Sequence, residues 1–132
     1  MLYENGLSPW GEIQTSEELY PGFSLVTTPG HGGIMVEYDA AALLSTAARK
    51  CSFMENGYLC FEEDCNEQVV LRELMDKKLW TPPDRIKDPS AFEASINKSI
   101  QMYHPEYWAA RERAKEKAQR PRHHPSRPAP SR

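Results

Sequence analysis

The stretch Phe23-Ser24-Leu25-Val26-Thr27-Thr28-Pro29-Gly30-His31-Gly32-Gly33-Ile34-Met35-Val36-Glu37-Tyr38 decides how the chain is read. Before the glycines, Phe23, Leu25 and Thr27 alternate with Ser24, Val26 and Thr28. After them, Ile34, Val36 and Tyr38 alternate with Met35 and Glu37, so both flanks carry the period of a strand. Together they predict a hairpin. Pro29 presets the dihedral of the second turn position and Gly30 supplies the positive φ of the third, as in a type II turn. Gly32 and Gly33 are more than a turn requires. They permit close approach of another strand or of a bound group, with His31 as the titratable side chain at the tip. A plain hairpin end with a solvated histidine is the alternative reading.

Working outward, Ser16-Glu17-Glu18-Leu19-Tyr20 is short and acidic and ends in a Pro21-Gly22 turn. The opening Ser8-Pro9-Trp10-Gly11 is turn-rich around an aromatic expected to plug the edge of the core. Downstream, Asp39 is placed to cap a helix over Ala40 to Arg49. Asn56-Gly57 predicts a second hairpin, with a strand through Tyr58 to Phe61. Val69, Val70, Leu71, Leu74, Met75 and Leu79 recur at helical spacing up to Trp80, with Asp64 and Glu67 as a capping box and Thr81-Pro82-Pro83 as the stop. Asp88-Pro89 opens a further helix with Phe92, Ile96 and Ile100 on one stripe, and His104-Pro105 ends it and starts the last. These elements predict an α+β fold, a small antiparallel sheet from two hairpins with about three helices on one face.

The 132 residues carry 19 acidic and 16 basic side chains, distributed unevenly. Residues 1–110 hold 17 acidic and 8 basic groups, a balance of −9, and residues 111–132 hold 2 and 8, a balance of +6. Residues 1–110 are therefore expected to form one domain. Residues 111–132 read as a polar helix end, leaving the body at Arg111, and a basic, Pro-rich disordered tail. An acidic body repels phosphates and attracts a basic protein, so any nucleic-acid binding is expected through the tail. No apolar run reaches membrane-spanning length and no signal sequence opens the chain, so a cytoplasmic protein with no membrane partner is expected. Three cysteines without a secretory signal read as reduced thiols.

The second cluster of reactive groups is Glu62-Glu63-Asp64-Cys65. In an extended strand Glu62 and Asp64 share one face and Glu63 the other, so at most two carboxylates converge. With His31 such a pair could act as general acid and base, although acids are also favoured at a helix start by the dipole alone. Cys65 reads as a packed thiol, because the carboxylates around it outweigh that dipole. Cys51, Cys60 and Cys65 lack a Cys-x-x-Cys knuckle, and no Walker loop, dinucleotide fingerprint or nucleophile elbow is present; neither a metal nor a cofactor is expected.

Taken as an ordered set, Ser8-Pro9-Trp10-Gly11, Pro21-Gly22, Thr28 to Gly33, Gly57-Tyr58, Glu62-Glu63-Asp64-Cys65, the helix with Val69 and Val70, and His104-Pro105-Glu106-Tyr107-Trp108 resemble a known family. It is a domain of unknown function found in small proteins and modules of plasmids, phages and integrative elements, often encoded near antirestriction-type proteins. The resemblance spans about residues 7–108. The chain departs from it at Leu59 and Cys60, where members often carry an aromatic, and in its basic tail. The resemblance implies a mobile-element setting and a shared site at His31, Gly32, Gly33, Glu63 and Asp64; Glu62 and Trp10 are further candidate binding residues. It implies no mechanism. The function expected is binding of a host protein or nuclease complex, as an anti-defence inhibitor of the antirestriction or anti-CRISPR type. A small hydrolase or transferase using His31 with Glu62, Glu63 or Asp64 is the alternative.

Overall fold

A computed structural model describes residues 6–119. The tail expected to be disordered, 120–132, lies outside them. Two short strands, β1 (Leu7–Ser8) and β2 (Gly11–Glu12), pair with each other around Pro9-Trp10. A five-stranded antiparallel sheet follows, from β3 (Thr15–Tyr20), β4 (Phe23–Thr27), β5 (Gly32–Glu37), β6 (Phe53–Glu55) and β7 (Tyr58–Glu62), in the order β3-β4-β5-β7-β6. The helices are α1 (Thr46–Arg49), α2 (Glu67–Asp76), α3 (Pro89–Tyr103) and α4 (Pro105–Gln119). The fold is α+β.

Both expected hairpins are present, and the acidic segment before Pro21 is a further strand. The type II geometry, however, belongs to Pro21-Gly22: Gly22 has φ +90°, and Gly30 is not among the positive-φ glycines. A Cβ on Gly22 would lie 2.5 Å from Ala40 Cβ, so the site is closed sterically as well as conformationally. The β3–β4 register shifts between Glu18 and Tyr20, a bulge that absorbs the mismatch between a type II turn and strand twist. The Thr28–His31 loop closes through its own threonine. The His31 carbonyl accepts from Thr28 N at 2.8 Å and from the Thr28 hydroxyl at 2.6 Å. Asn56 and Gly57, at φ 52° and 83°, form the I′-type turn that their sequence dictates.

Strand alternation sorts the sheet into two faces. Phe23, Ile34, Val36, Leu59 and Phe61 meet Val69, Val70 and Leu74 of α2 and Ile96 and Ile100 of α3, all buried. On the opposite face Val26, Met35 and Cys60 are buried under Trp10, Ile13 and Tyr58. The helices thus lie on one face, and the N-terminal strand pair roofs the other. Trp10, expected at the core edge, covers a face instead, running from Gly33 on β5 to an edge-to-face contact with Phe53 on β6, with ring centroids 6.2 Å apart.

The helix expected over Ala40 to Arg49 is broken. A 3-10 helix runs from Tyr38 to Leu43, Leu44 is extended, and Ser45, not Asp39, caps α1 by accepting from Ala48 N at 3.1 Å. The break lets Ser45 reach Glu73 of α2, donating through its amide at 2.7 Å and its hydroxyl at 3.1 Å. Tyr107 of α4 donates to the same buried carboxylate at 2.7 Å. One acid on α2 therefore binds α1 and α4 together.

The start and end of α2 also differ from expectation. Asp64 does not cap it: with φ 61° it sits in a turn closed by Cys65 N to Glu62 O at 3.3 Å, and Asn66 is the N-cap. The helix stops at Asp76, short of Trp80, because Lys78 adopts φ 61° and the Lys78 and Leu79 amides return to the Met75 and Leu74 carbonyls at 3.0 and 2.9 Å. That is a Schellman end, complete before the prolines. Asp88 caps α3 as expected, accepting from Ala91 N at 3.0 Å. Helix α4 is held to the body at Arg111, whose guanidinium donates twice to Asp76 at 2.7 and 3.0 Å, and its residues 113–119 are all exposed.

Candidate functional site

The sheet places the sequence-derived residues at one end. Strands β5 and β7 run antiparallel with Gly33 opposite Glu62, and Glu63 N donates to Gly32 O at 3.0 Å. The His31 loop and the Glu62–Cys65 turn are therefore adjacent through their backbones. Their side chains are a different matter. His31, Glu62, Glu63 and Asp64 are all exposed, and no hydrogen bond or ion pair joins His31 to a carboxylate among the described residues. The strand alternation used to separate Glu62, Glu63 and Asp64 ends at Glu62, where the chain enters the turn. Among the described residues no three His, Cys, Asp or Glu side chains cluster closely enough to hold a metal ion.

The close approach that Gly32 and Gly33 permit is used inside the chain. A Cβ on Gly32 would fall 2.5 Å from Val26 O, and one on Gly33 would fall 2.2 Å from Phe61 O and 2.7 Å from the Trp10 ring. These two glycines let β4, β7 and Trp10 close over β5.

Beneath the exposed acids lies a residue that sequence reasoning treated only as a capping partner. Glu67, in the first turn of α2, has Oε1 buried without a hydrogen-bond partner. Burial, reinforced by the charges of Glu63 and Asp64, raises its carboxyl from 4.5 to about 7. A group that exchanges its proton near neutrality thus sits under the acidic turn, which is what general acid–base chemistry requires of a carboxyl. Its signal in the sequence was faint, since an acid in a first helical turn is ordinary.

A concavity lies elsewhere. A groove of about 920 Å³ opens between α1 and α4, with Lys50, Cys51, Tyr103, His104 and Arg113 among its walls. Tyr103 is 61% exposed and Met102 beside it 60%, an apolar step at the α3–α4 corner. Tyr103 closes α3, and helical periodicity cannot tell the last turn of a helix from its buried middle.

A family model described as "Domain of unknown function (DUF7007)" matches residues 4–128. The chain belongs to this family. The DUF7007 match takes in every element from β1 to α4, so both the sheet end and the α1–α4 groove fall within it. No curated protein and no solved structure matches the chain. No helix among the described residues is long and apolar enough to cross a membrane.

Proposed function

We propose that this chain is a small accessory protein of a mobile genetic element that binds a host macromolecule and thereby inhibits a nuclease or defence complex. The observation that carries the reading is the exposed Met102–Tyr103 step beside the open α1–α4 groove, on a body whose residues 1–110 carry a balance of −9. Exposed apolar side chains next to a concavity, within an acidic surface, suit a protein partner with a basic contact face. The mobile-element setting rests on the ordered motif set from Pro9-Trp10-Gly11 to His104-Pro105. Residues 120–132, with four arginines and no acid, offer a subsidiary route to nucleic acid.

The test is affinity purification from host lysate, identification of the retained protein, and reconstitution of the pair. Tyr103→Glu and Met102→Lys are expected to weaken the reconstituted complex at least tenfold while leaving the fold intact. Unchanged affinity in both variants overturns the assigned surface. A second reading, a small hydrolase or transferase using His31 with Glu62, Glu63 or Asp64, has in its favour the proton-exchanging Glu67 beneath that turn. Turnover of a small ester or phosphoester by the purified chain, abolished by His31→Ala, would favour it over the binding reading.

A further inference from the structure

Two of the three cysteines converge on one corner of the molecule although the sequence separates them by the whole β6–β7 hairpin. The Cys51 carbonyl, just past α1, accepts the side-chain amide of Asn66, the residue that follows Cys65. On the other side a ring nitrogen of His104 lies 3.3 Å from the Cys65 carbonyl, and His104 and Cys51 share a wall of the α1–α4 groove. Both thiols are partly exposed, whereas Cys60 is fully buried within the sheet.

We propose that Cys51 and Cys65 are an oxidisable pair that closes to an intramolecular disulfide when the chain meets a small disulfide oxidant. The two sulfurs also interact electrostatically: the Cys51 thiol is pushed up first by burial and next by the charge of a Cys65 thiolate, ahead of Glu73 and Glu106. Because burial disfavours the Cys51 thiolate, Cys51 is assigned the resolving role and Cys65 the attack. The Cys65 thiolate attacks one sulfur of the oxidant, whose S–S bond breaks and whose other half leaves with the electron pair and takes up a proton. Cys51 then loses its proton and attacks Cys65 Sγ in the mixed disulfide, releasing the second half as a thiol. Two protein thiols are oxidised, and one oxidant disulfide is reduced to two thiols. The bond ties the end of α1 to the turn before α2 and fixes one wall of the groove.

Hydroxyethyl disulfide, a neutral reagent, is the appropriate oxidant, because Glu62, Glu63 and Asp64 immediately precede Cys65 and Glu106 lines the groove with Cys51, a set of charges that repels anionic reagents. The full 132-residue chain is treated at pH 8, quenched by alkylation and examined by intact mass and non-reducing peptide mapping. The expected result is loss of two hydrogen atoms, one cross-linked peptide joining Cys51 to Cys65, and Cys60 alkylated only after unfolding. In Cys51→Ser the expected product is a stable hydroxyethyl adduct on Cys65. Adducts on both cysteines of the native chain without a cross-link, or a cross-link that includes Cys60, would overturn the proposal. So would loss of two hydrogens in Cys51→Ser.

Discussion

Gly33 and Gly30 show how little residue type alone reveals about a position. Both belong to the same glycine-rich stretch, yet a Cβ on Gly33 in β5 meets Phe61 O and the Trp10 ring, while one on Gly30 in the loop meets nothing within 4 Å. Gly33→Ala is therefore expected to cost about 2–3 kcal/mol through forced displacement of backbone and indole. Gly30→Ala should stay within about 0.5 kcal/mol. Urea denaturation of the two variants measures both. Glu67 carries a second residue-scale prediction. Folding raises its carboxyl from 4.5 to about 7, so between those values the folded chain holds a proton that the unfolded chain releases. The stabilisation is complete below the unfolded value and is lost as pH rises through the folded one, with a slope of at most about 1.4 kcal/mol per pH unit. Glu67→Gln should flatten that part of the stability–pH curve; an unaltered slope would show that another group is responsible.

Among elements, α2 organises the helical layer, because two of its charged side chains, Arg72 and Glu73, are as buried as its apolar ones. Arg72, 4% exposed in its side chain, pairs with Glu93 at 2.6 Å and donates to Asn97 at 2.7 Å on α3. Glu73 gathers Ser45 and Tyr107, and Asp76 holds Arg111. Neighbouring positions of one helix thus address three others. Tyr107→Phe removes the phenol from Glu73 without changing ring volume and leaves a buried carboxylate short of one donor. The expected cost is about 1–3 kcal/mol. Amide exchange should quicken in α1 and the first turns of α4 more than in the sheet, and uniform acceleration would show that the network does not act locally. From sequence α2 appears as an apolar stripe, legible from Val69 to Met75; the partners of Arg72, Glu73 and Asp76 on other helices are not legible, since they lie 21 to 35 residues away.

For the molecule as a whole, the charge asymmetry makes a prediction independent of any site. Deleting residues 120–132 removes four positive charges and shifts the net charge from −3 to −7. Any affinity for nucleic acid should fall, and the dependence of its logarithm on log salt should flatten, while the melting temperature stays nearly constant. A drop of many degrees would show that these residues support the fold. What the sequence by itself determined are the features with a local cause. Alternation marked β4 and β5, Asn56-Gly57 dictated a tight hairpin, Asp88-Pro89 started α3, and His104-Pro105 separated α3 from α4. Each depends on dihedral preference or side-chain period within a few residues. The tertiary structure alone decided where a local preference is overridden by a distant partner. Glu73 draws Ser45 out of a helix that its neighbours favour, and Trp10 with Phe61 turns Gly33 from a flexible loop residue into a packing requirement. Desolvation under a neighbouring turn turns Glu67 from a capping acid into a carboxyl that keeps its proton to higher pH, because burial and electric field depend on which segments meet, and no local window contains that information.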